Sequence, residues 1–550
     1  KSTSASNKMN YNVYLLDANG DENTNYFNNE QIKFALIKDD VFVAGTSATE
    51  GKKLSSIPGF NPGERHGEGL VLESQEITAG KTDEYKLRIW ISDDVNYSNT
   101  DRVDDNTDEF NDTQTSTGKY NSYKYSLKVK VTSEVVTGSS TSINNLNVNQ
   151  LTMTADLEDK NGISAYAVTT SQTAPVSDST DWIEIADSTA KSNVVRTTTG
   201  NVITSKSINF VAYGNGTYYL HVKNTKNDII SESFTINVSN PNASLYIKNV
   251  AGINTNELRI DTHEATGQQT FATTEYRYYG ATPNNYVEFN NELWRIIGVF
   301  KVDDGTDNIE ERLKIIRANP IGKYSWDSSA SGVNTGHGVN EWSQADLMTL
   351  LNSGAYYNRT TGKCYYASND GTKSCDFSEN STTPGLTSEA KEMIGNAKWY
   401  LGAHTTFEVT TSDVYGYERG TTTGKQCSSG DWCNDLVTRS TSWTGKIGLI
   451  YPSDYGYSAD MNSCSSTTLH TYNTSCKDFS WLYNSANQWT LNPFLNSDGG
   501  DRVFYVYSSG LVSSMSANFP YDVFPVTYLK SDIKIIDGIG TDQQPFVLSK

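Results

Sequence analysis

Short stretches in which apolar and polar residues alternate recur through the first 240 residues of this chain. In residues 85–91 every second side chain is large and apolar, and residues 123–131 repeat the pattern with mostly lysines on the opposite face. A period of two is typical of a β-strand that buries one face. Because such a face must pack against a second layer, the pattern predicts β-sandwich domains.

The chain length of 550 residues predicts three to four domains at roughly 150 residues each. A linker rich in Ser, Thr and Gly separates a first block, residues 1–134, from a second block, residues 135–240. The second block contains about seven short strand patterns, the number typical of an immunoglobulin-like sandwich. The third block, residues 241–550, adds amphipathic helices at residues 341–352 and 387–399 and is predicted to be α+β.

The composition indicates an extracellular β-protein that does not bind nucleic acid. Tyr (34 residues) and Thr favour strands, while Asn, Gly and Ser favour turns. The net charge of −20 repels phosphate backbones and anionic membrane surfaces. No run approaches the roughly 18 consecutive apolar residues of a membrane helix, so no membrane span is predicted.

The six cysteines all lie in the third block, in three closely spaced pairs. The pairs are Cys364 and Cys375, Cys427 and Cys433, and Cys464 and Cys476. Six cysteines allow 15 pairings, and sequence alone does not choose among them. Local disulfides are the simplest hypothesis because each close pair spans a polar loop, whereas a metal site would need Cys-x-x-Cys spacing or nearby histidines. Disulfides in turn predict an oxidising compartment.

Residues 10–134 of the first block resemble the camelysin/TasA-like proteins of Firmicutes surfaces. The most specific part is a turn followed by Tyr-x-Leu-Arg-Ile-Trp within residues 77–92. Further matching stretches are residues 34–39, 54–57 and 69–72. The resemblance implies a jelly-roll fold and a matrix-fibre subunit that associates with identical subunits. Fibre growth in that family is similar to donor-strand exchange, in which an extended strand completes the sheet of the next subunit.

The other two blocks carry resemblances of their own. Residues 216–224 look like part of a bacterial immunoglobulin-like surface module, and residues 270–550 resemble surface domains of gut Firmicutes. The strings that carry the second resemblance are residues 293–299, 448–457, 489–493 and 525–530. It implies a C-type-lectin-like fold, as in formylglycine-generating enzymes. The expected architecture is therefore mainly β: a jelly-roll-like sandwich, an immunoglobulin-like sandwich and a C-type-lectin-like α+β head.

Two stretches of the first block place oxygen ligands in the manner that Ca²⁺ accepts. They are Asp17, Asn19, Asp21 and Asn23 in the first stretch, and Asp101, Asp104, Asp105, Asp108, Glu109 and Asp112 in the second. A solvated polar loop is the favoured interpretation of both. The first stretch lacks the glycine position and the closing glutamate of an EF-hand. We therefore predict no cofactor and assign no metal, with Ca²⁺ kept as the alternative.

The stretch from residue 489 to residue 518 is the candidate ligand face, because lectin-like domains present their ligands near this position. Six side chains there combine aromatic planes with hydrogen-bonding groups, a mixture that suits sugar or protein surfaces. They are Trp489, Asn492, Asp501, Arg502, Tyr505 and Tyr507. Because Tyr505 and Tyr507 alternate with Phe504 and Val506, one of these two pairs is expected to lie in the core.

Together these observations favour a non-enzymatic protein of the bacterial cell surface, either a subunit of an extracellular filament or a stalked adhesin. The six histidines are scattered, and the chain has no Gly-x-Ser-x-Gly, phosphate-loop or His-Glu-x-x-His motif. One alternative is a secreted lectin-like receptor that binds a host glycan or protein and uses the sandwiches as spacers. The other is an enzyme related to formylglycine-generating proteins, which is disfavoured because the catalytic cysteine motif is not matched.

Overall fold

The computed structural model describes residues 8–17, 31–44, 50–56, 70–77, 81–92, 127–136, 140–185, 203–328, 337–366, 372–420, 437–495 and 500–550. The fold is mainly β, with 44% strand and 15% helix, which confirms the predicted class. Within the described ranges, no helix combines the length and the apolar character that crossing a membrane requires.

The chain forms two compact units. The amino-terminal unit contains the described residues up to Ser142 together with Glu158–Ile163 and Asn224–Ile230. The carboxyl-terminal unit contains the other described residues up to Lys550. The division into three blocks at residues 134 and 240 stays a prediction.

The amino-terminal unit is built from two small antiparallel sheets. Its strands are β1 (Lys8–Asp17), β2 (Ile32–Lys38), β3 (Val41–Ala44), β4 (Lys52–Lys53), β5 (Leu70–Ile77), β6 (Tyr85–Ile91) and β7 (Leu127–Val136). In one sheet β1 lies between β5 and β7, and in the other β2 pairs with β6 on one side and with β3 and β4 on the other. Leu15 of β1 packs with Phe34 and Leu36 of β2, so the two sheets face each other.

Seven strands between residues 142 and 236 form two further sheets. They are β8 (Ser142–Asn149), β9 (Thr152–Glu158), β10 (Ile163–Thr169), β11 (Ile183–Glu184), β12 (Ser205–Val211), β13 (Gly216–Asn224) and β14 (Ile229–Ile236). The strand orders are β11-β10-β13-β14 and β12-β9-β8. Alternation along β9 buries Met153, Ala155 and Leu157. The immunoglobulin-like topology itself stays a prediction.

The rest of the carboxyl-terminal unit mixes strands with short helices. Its strands are β15 (Leu258–His263), β16 (Thr273–Tyr278), β17 (Tyr286–Phe289), β18 (Glu292–Asp303), β19 (Ile309–Arg317), β20 (Lys323–Ser325), β21 (Thr361–Tyr365), β22 (Thr372–Asp376), β23 (Ala397–Tyr400), β24 (Ser442–Gly445), β25 (Ile447–Gly448), β26 (Gln488–Pro493), β27 (Arg502–Val506), β28 (Val512–Ser516), β29 (Pro520–Asp522), β30 (Val526–Tyr528), β31 (Lys534–Asp537) and β32 (Phe546–Ser549). Its helices are α1 (Ala243–Ile253), α2 (Asp346–Asn352), α3 (Ala355–Asn358), α4 (Ser388–Met393), α5 (Thr411–Glu418), α6 (Pro452–Tyr457) and α7 (Met461–Cys464). Short 3₁₀ helices span Trp342–Gln344, Leu469–Thr474 and Cys476–Phe479 in this unit, and Leu54–Ser56 in the amino-terminal unit.

Two sheets organise this part of the unit. The larger follows the order β25-β30-β19-β18-β17-β32-β31, and β16 also pairs with β18 and carries β15. The smaller follows the order β20-β29-β26-β27-β28. Because β26 is the central strand of the smaller sheet and both of its faces are covered, all six of its residues are buried. This part combines strands with short helices, and its α+β and C-type-lectin-like assignments stay predictions.

The two predicted helices are found only in part. A 3₁₀ turn at Trp342–Gln344 precedes α2, which starts at Asp346. Thr387 caps α4, and its hydroxyl accepts the Ala390 N–H at 3.0 Å. The prediction of a helix continuing to residue 399 is wrong, because α4 ends at Met393 and the chain then enters β23. There Trp399 is buried opposite its strand partner Trp443, and this tertiary pairing overrides the helical pattern.

Two of the three cysteine pairs form local disulfides. Cys364–Cys375 links β21 to β22, and Cys464–Cys476 links α7 to the following 3₁₀ turn. The bridged residues are 11 and 12 positions apart, so each bridge stabilises the fold by about 3 kcal/mol through restriction of the unfolded chain. Cys427 and Cys433 lie outside the described residues.

Candidate functional site

The structure places four of the six predicted ligand residues in the core. Trp489, Asn492, Asp501 and Tyr505 are all buried. The Trp489 indole N–H donates to the Tyr324 carbonyl at 3.0 Å, and the Asn492 amide donates to the Gly402 carbonyl at 2.9 Å. Trp489 and Asn492 therefore bind to neighbouring backbone segments inside the unit, and none of the four buried side chains presents an exposed face.

The remaining two predicted ligand residues reach solvent. Arg502 is half-buried at the start of β27, and the Tyr507 side chain just beyond that strand is 40% exposed. The alternation argument expected one buried pair, but Phe504, Tyr505 and Val506 are all buried because β27 lies between β26 and β28 with both faces covered. Ligand contact at Arg502 and Tyr507 stays a prediction.

The two acidic stretches fall almost entirely outside the described residues. Asn19, Asp21 and Asn23 are not described, nor is the stretch from Asp101 to Asp112. Asp17 ends β1, where only the backbone is described. Elsewhere in the described ranges, no group of three or more His, Cys, Asp or Glu side chains is arranged to hold a metal ion. The Ca²⁺ alternative is therefore untested.

A buried ionic cluster that the sequence analysis missed lies around the residue 448–457 string. Asp454, in the first turn of α6, accepts hydrogen bonds from Arg277 Nη1 at 2.9 Å and from Lys314 Nζ at 2.5 Å. It also accepts the Tyr451 N–H at 2.9 Å. All three charged side chains are fully buried. No local pattern singled out Lys314 or Arg277, because β19 and β16 contain several other polar or charged residues.

Aromatic rings complete the surroundings of the Lys314 ammonium group. The Tyr451 ring centroid lies 4.2 Å from Lys314 Nζ. The ring centroids of Phe300, Trp399 and Tyr528 lie 5.3 to 5.5 Å from the same Nζ atom. Burial lowers the pKa of Lys314 to about 8, although the nearby Asp454 carboxylate acts in the opposite direction and raises this pKa. Burial likewise disfavours ionisation of Asp454, yet Lys314 and Arg277 lower the pKa of its carboxyl.

The cluster continues through two further acidic residues. Glu275 pairs with Arg277 at 2.6 Å and accepts the Tyr415 hydroxyl at 2.9 Å. Glu418 pairs with Arg419 at 3.0 Å, and burial raises the pKa of Glu418 to about 7. Perturbed pKa values also occur in active sites. Here the side chains are almost inaccessible to solvent, so the cluster fits a structural role.

His404 is a buried titratable residue of the carboxyl-terminal unit that lies among aromatic rings. Its ring is stacked between those of Tyr417 and Phe504, at centroid distances of 4.9 and 4.5 Å. Burial lowers the pKa of His404 from 6.5 to about 4. The unfolded chain therefore binds a proton at this residue between pH 6.5 and pH 4, while the folded chain does not. Its contribution lowers stability as the pH falls through this window.

Replacement of His404 by leucine is expected to flatten the pH dependence of stability. In the parent chain this histidine should make the free energy of unfolding about 2 kcal/mol lower at pH 5 than at pH 7. Urea unfolding followed by tryptophan fluorescence at both pH values measures the difference. Phe407→Leu, in the same aromatic cluster, removes a ring but no titratable group and should keep the parental difference. An unchanged difference in His404→Leu would contradict the assignment.

Among the described residues, the amino-terminal unit has an open side bounded by β6 and β7. At the other side β3 lies beside β5, so the two sheets approach each other there. Val129 and Val131 of β7 lie directly opposite Leu15 and Val13 of β1. Directly opposed residues on neighbouring strands share a face of the sheet. Both valines therefore face the same side as the core.

The apolar rows along this open side are only partly covered. Val129 and Val131 are 51% and 61% exposed, whereas Val13 and Leu15 are buried. On β6, Ile89 is likewise exposed although it lies opposite the buried Phe34. An edge strand with exposed apolar side chains is a template for pairing with another strand. Ile89 on β6 and Val129 and Val131 on β7 therefore form an exposed apolar surface along the open side. We call this surface the open edge.

The fold and these sites define a mainly β protein with disulfide bonds in its carboxyl-terminal unit and an open edge on its amino-terminal unit. Comparison with models of known protein families, with curated proteins and with solved structures finds no match for this chain. The family resemblances therefore stay predictions from the sequence.

Proposed function

We propose that this chain is a non-enzymatic structural protein of the extracellular bacterial surface, and that it joins other copies of itself by strand addition at the open edge. The observation that carries the proposal is the exposure of Val129 and Val131 on the core-facing side of β7. Such side chains are normally covered, because exposed apolar surface on an edge strand promotes association.

The backbone of β7 is available for the same interaction. Among the described strands, β7 pairs only with β1, so its other edge presents N–H and C=O groups in the geometry of a sheet. An incoming strand would bond to these groups and cover the valines at once. Backbone hydrogen bonding and coverage of the valines both need an extended strand, so the expected partner is an extended chain segment and not a compact ligand.

Three further observations support an extracellular structural role. The disulfides Cys364–Cys375 and Cys464–Cys476 suit an oxidising compartment. The ionic cluster around Asp454 is sealed from solvent, as expected of a structural element. The resemblance of residues 10–134 to matrix-fibre proteins favours identical subunits as the partner, within a filament or a stalked adhesin.

The double variant Val129→Glu/Val131→Glu is expected to abolish assembly of the purified chain. Burying a valine contributes about 1.5 kcal/mol or more. Two charged replacements should therefore weaken association by about 100-fold or more. Electron microscopy of negatively stained samples and light scattering across a concentration series measure filament formation and mass.

Val41→Glu is the matched control. Val41 is in the same unit and is 65% exposed, but it lies on β3, at the side of the unit where the two sheets approach each other. This variant should assemble as the parent chain does. A parent chain that stays monomeric at all concentrations, or a double variant that still forms filaments, would refute the proposal.

A further inference from the structure

A cavity of about 360 Å³ opens in the carboxyl-terminal unit, and its lining in the described structure includes none of the six predicted ligand residues. Its walls come from β17, β18, the end of β19 and the stretch from Trp481 to Gln488. The volume falls within the range of small-molecule sites. Two cationic side chains line it, Arg295 and Arg317, and their surroundings differ.

Arg295 is held rigidly at the cavity wall. Its guanidinium lies between the rings of Tyr286 and Trp481, 4.5 and 4.4 Å from their centroids. Its Nε donates to Asn285 Oδ1 at 2.8 Å, and its Nη atoms donate to two backbone carbonyls. A guanidinium has five N–H groups, so two of them stay available. The planar group is thus fixed before any ligand arrives.

No carboxylate of the described residues lies within ion-pair distance of Arg295, which is half-buried. Burial lowers the pKa of Arg295 to about 10, so it remains a cation at neutral pH. Arg317, in contrast, pairs with Glu292 through two contacts of 2.9 and 2.5 Å. The cavity therefore contains one neutralised and one unneutralised guanidinium. A partly buried charge without a counter-ion is unfavourable.

Gln488 supplies a second unmet donor to the same cavity. The residue is only 1% exposed, and its Nε2 has no hydrogen-bond partner among the described residues. Its Oε1 accepts from Asn484 Nδ2 at 3.0 Å, which fixes the amide orientation. A buried donor without an acceptor is costly. A ligand that brings an acceptor and a negative charge would satisfy Gln488 and Arg295 together.

We propose that this cavity binds a small hydroxylated carboxylic acid, of the uronic acid type, with its carboxylate on Arg295 and Gln488. Guanidinium groups bind planar carboxylates in a two-point geometry. The neighbouring Asn319, Asn484 and Tyr483 supply groups that bond to hydroxyls. The acid is either free or at the end of a glycan chain, since the recognised group is the same. This function goes beyond assembly and involves a different unit.

The test is a calorimetric titration of the full chain with sodium glucuronate, with glucose and sodium acetate as comparison probes. Glucuronate should bind at least about tenfold more tightly than either probe, because glucose lacks the charge and acetate lacks the hydroxyls. An oligosaccharide ending in glucuronate distinguishes a glycan end from the free acid. Running the titration in the Val129→Glu/Val131→Glu background keeps the result independent of assembly.

Two variants locate the site. Arg295→Gln should weaken glucuronate binding by about tenfold or more, and Gln488→Leu provides the same test if Arg295→Gln does not fold. Asp542→Asn removes an exposed negative charge from the cavity lining and should tighten binding by about twofold. No saturable glucuronate binding by the parent chain, equal binding of glucose, or binding unaffected by both cavity variants would overturn the proposal.

Discussion

Asp454→Ala is expected to lower the free energy of unfolding of the carboxyl-terminal unit by about 3–5 kcal/mol. The substitution leaves the fully buried Lys314 without its only carboxylate among the described residues. Arg277 loses its ion pair with Asp454 and keeps its ion pair with Glu275. The Tyr451 N–H also loses its acceptor. A buried charge deprived of its partner costs far more than an exposed one, because water cannot replace the lost interaction.

Urea unfolding at pH 7, followed by tryptophan fluorescence, measures this loss. Asp532→Ala is the control, because Asp532 is exposed and surface substitutions usually change stability by less than about 0.5 kcal/mol. Lys314→Met should also destabilise the unit, since it leaves Asp454 with Arg277 as its one charged partner in the described structure. If Asp454→Ala lowered the free energy of unfolding by less than about 1 kcal/mol, water would have to reach the ionic cluster, which contradicts its burial.

Trp489→Ala is expected to destabilise the same unit by about 3–5 kcal/mol. The side chain is fully buried, and its ring packs 4.8 Å from that of Tyr521 and 6.1 Å from that of Tyr505. The truncation leaves a cavity and removes the donor to the Tyr324 carbonyl. Neighbouring strands cannot collapse fully into the space, because β26 is paired on both sides.

This substitution also separates the core role of Trp489 from the ligand role that the sequence predicted. Tyr507→Ala is the control, because Tyr507 belongs to the same predicted set but is 40% exposed. It should cost about 1 kcal/mol or less. Thermal unfolding and urea unfolding of both variants provide the comparison. If Trp489→Ala were as stable as Tyr507→Ala, the tryptophan would not be a core residue.

Sequence patterns predicted correctly those features that depend only on residues close together in the chain: strands, a helix start and local disulfides. Alternation identified β6 because the two faces of a strand follow directly from the order of residues. The helix predicted from residue 387 does begin there, because Thr387 caps it and capping needs only the next three residues. Cysteine spacing favoured the two local disulfides that the structure describes.

The same patterns failed where distant segments decide the outcome. The helical pattern of residues 387–399 gave way at β23, where pairing with β24 buries Trp399. Helix α1 was not predicted, although the Asn242 side chain caps it by accepting the Leu245 N–H at 2.8 Å. Trp489, which the lectin-like resemblance placed on a ligand face, is buried because β26 is covered on both faces, and the order of residues along a strand does not reveal such double coverage.

From its sequence alone, this protein is determined to be rich in strands, strongly acidic, and provided with cysteines at spacings that suit local bridges. Only the tertiary structure decided which apolar faces stay open, at Val129 and Val131, and which charges are sealed inside. Asp454 meets Lys314 and Arg277 across 140 and 177 residues of chain. Burial and ion pairing depend on such distant approaches, because solvent exclusion is a property of the packed chain and not of any single segment.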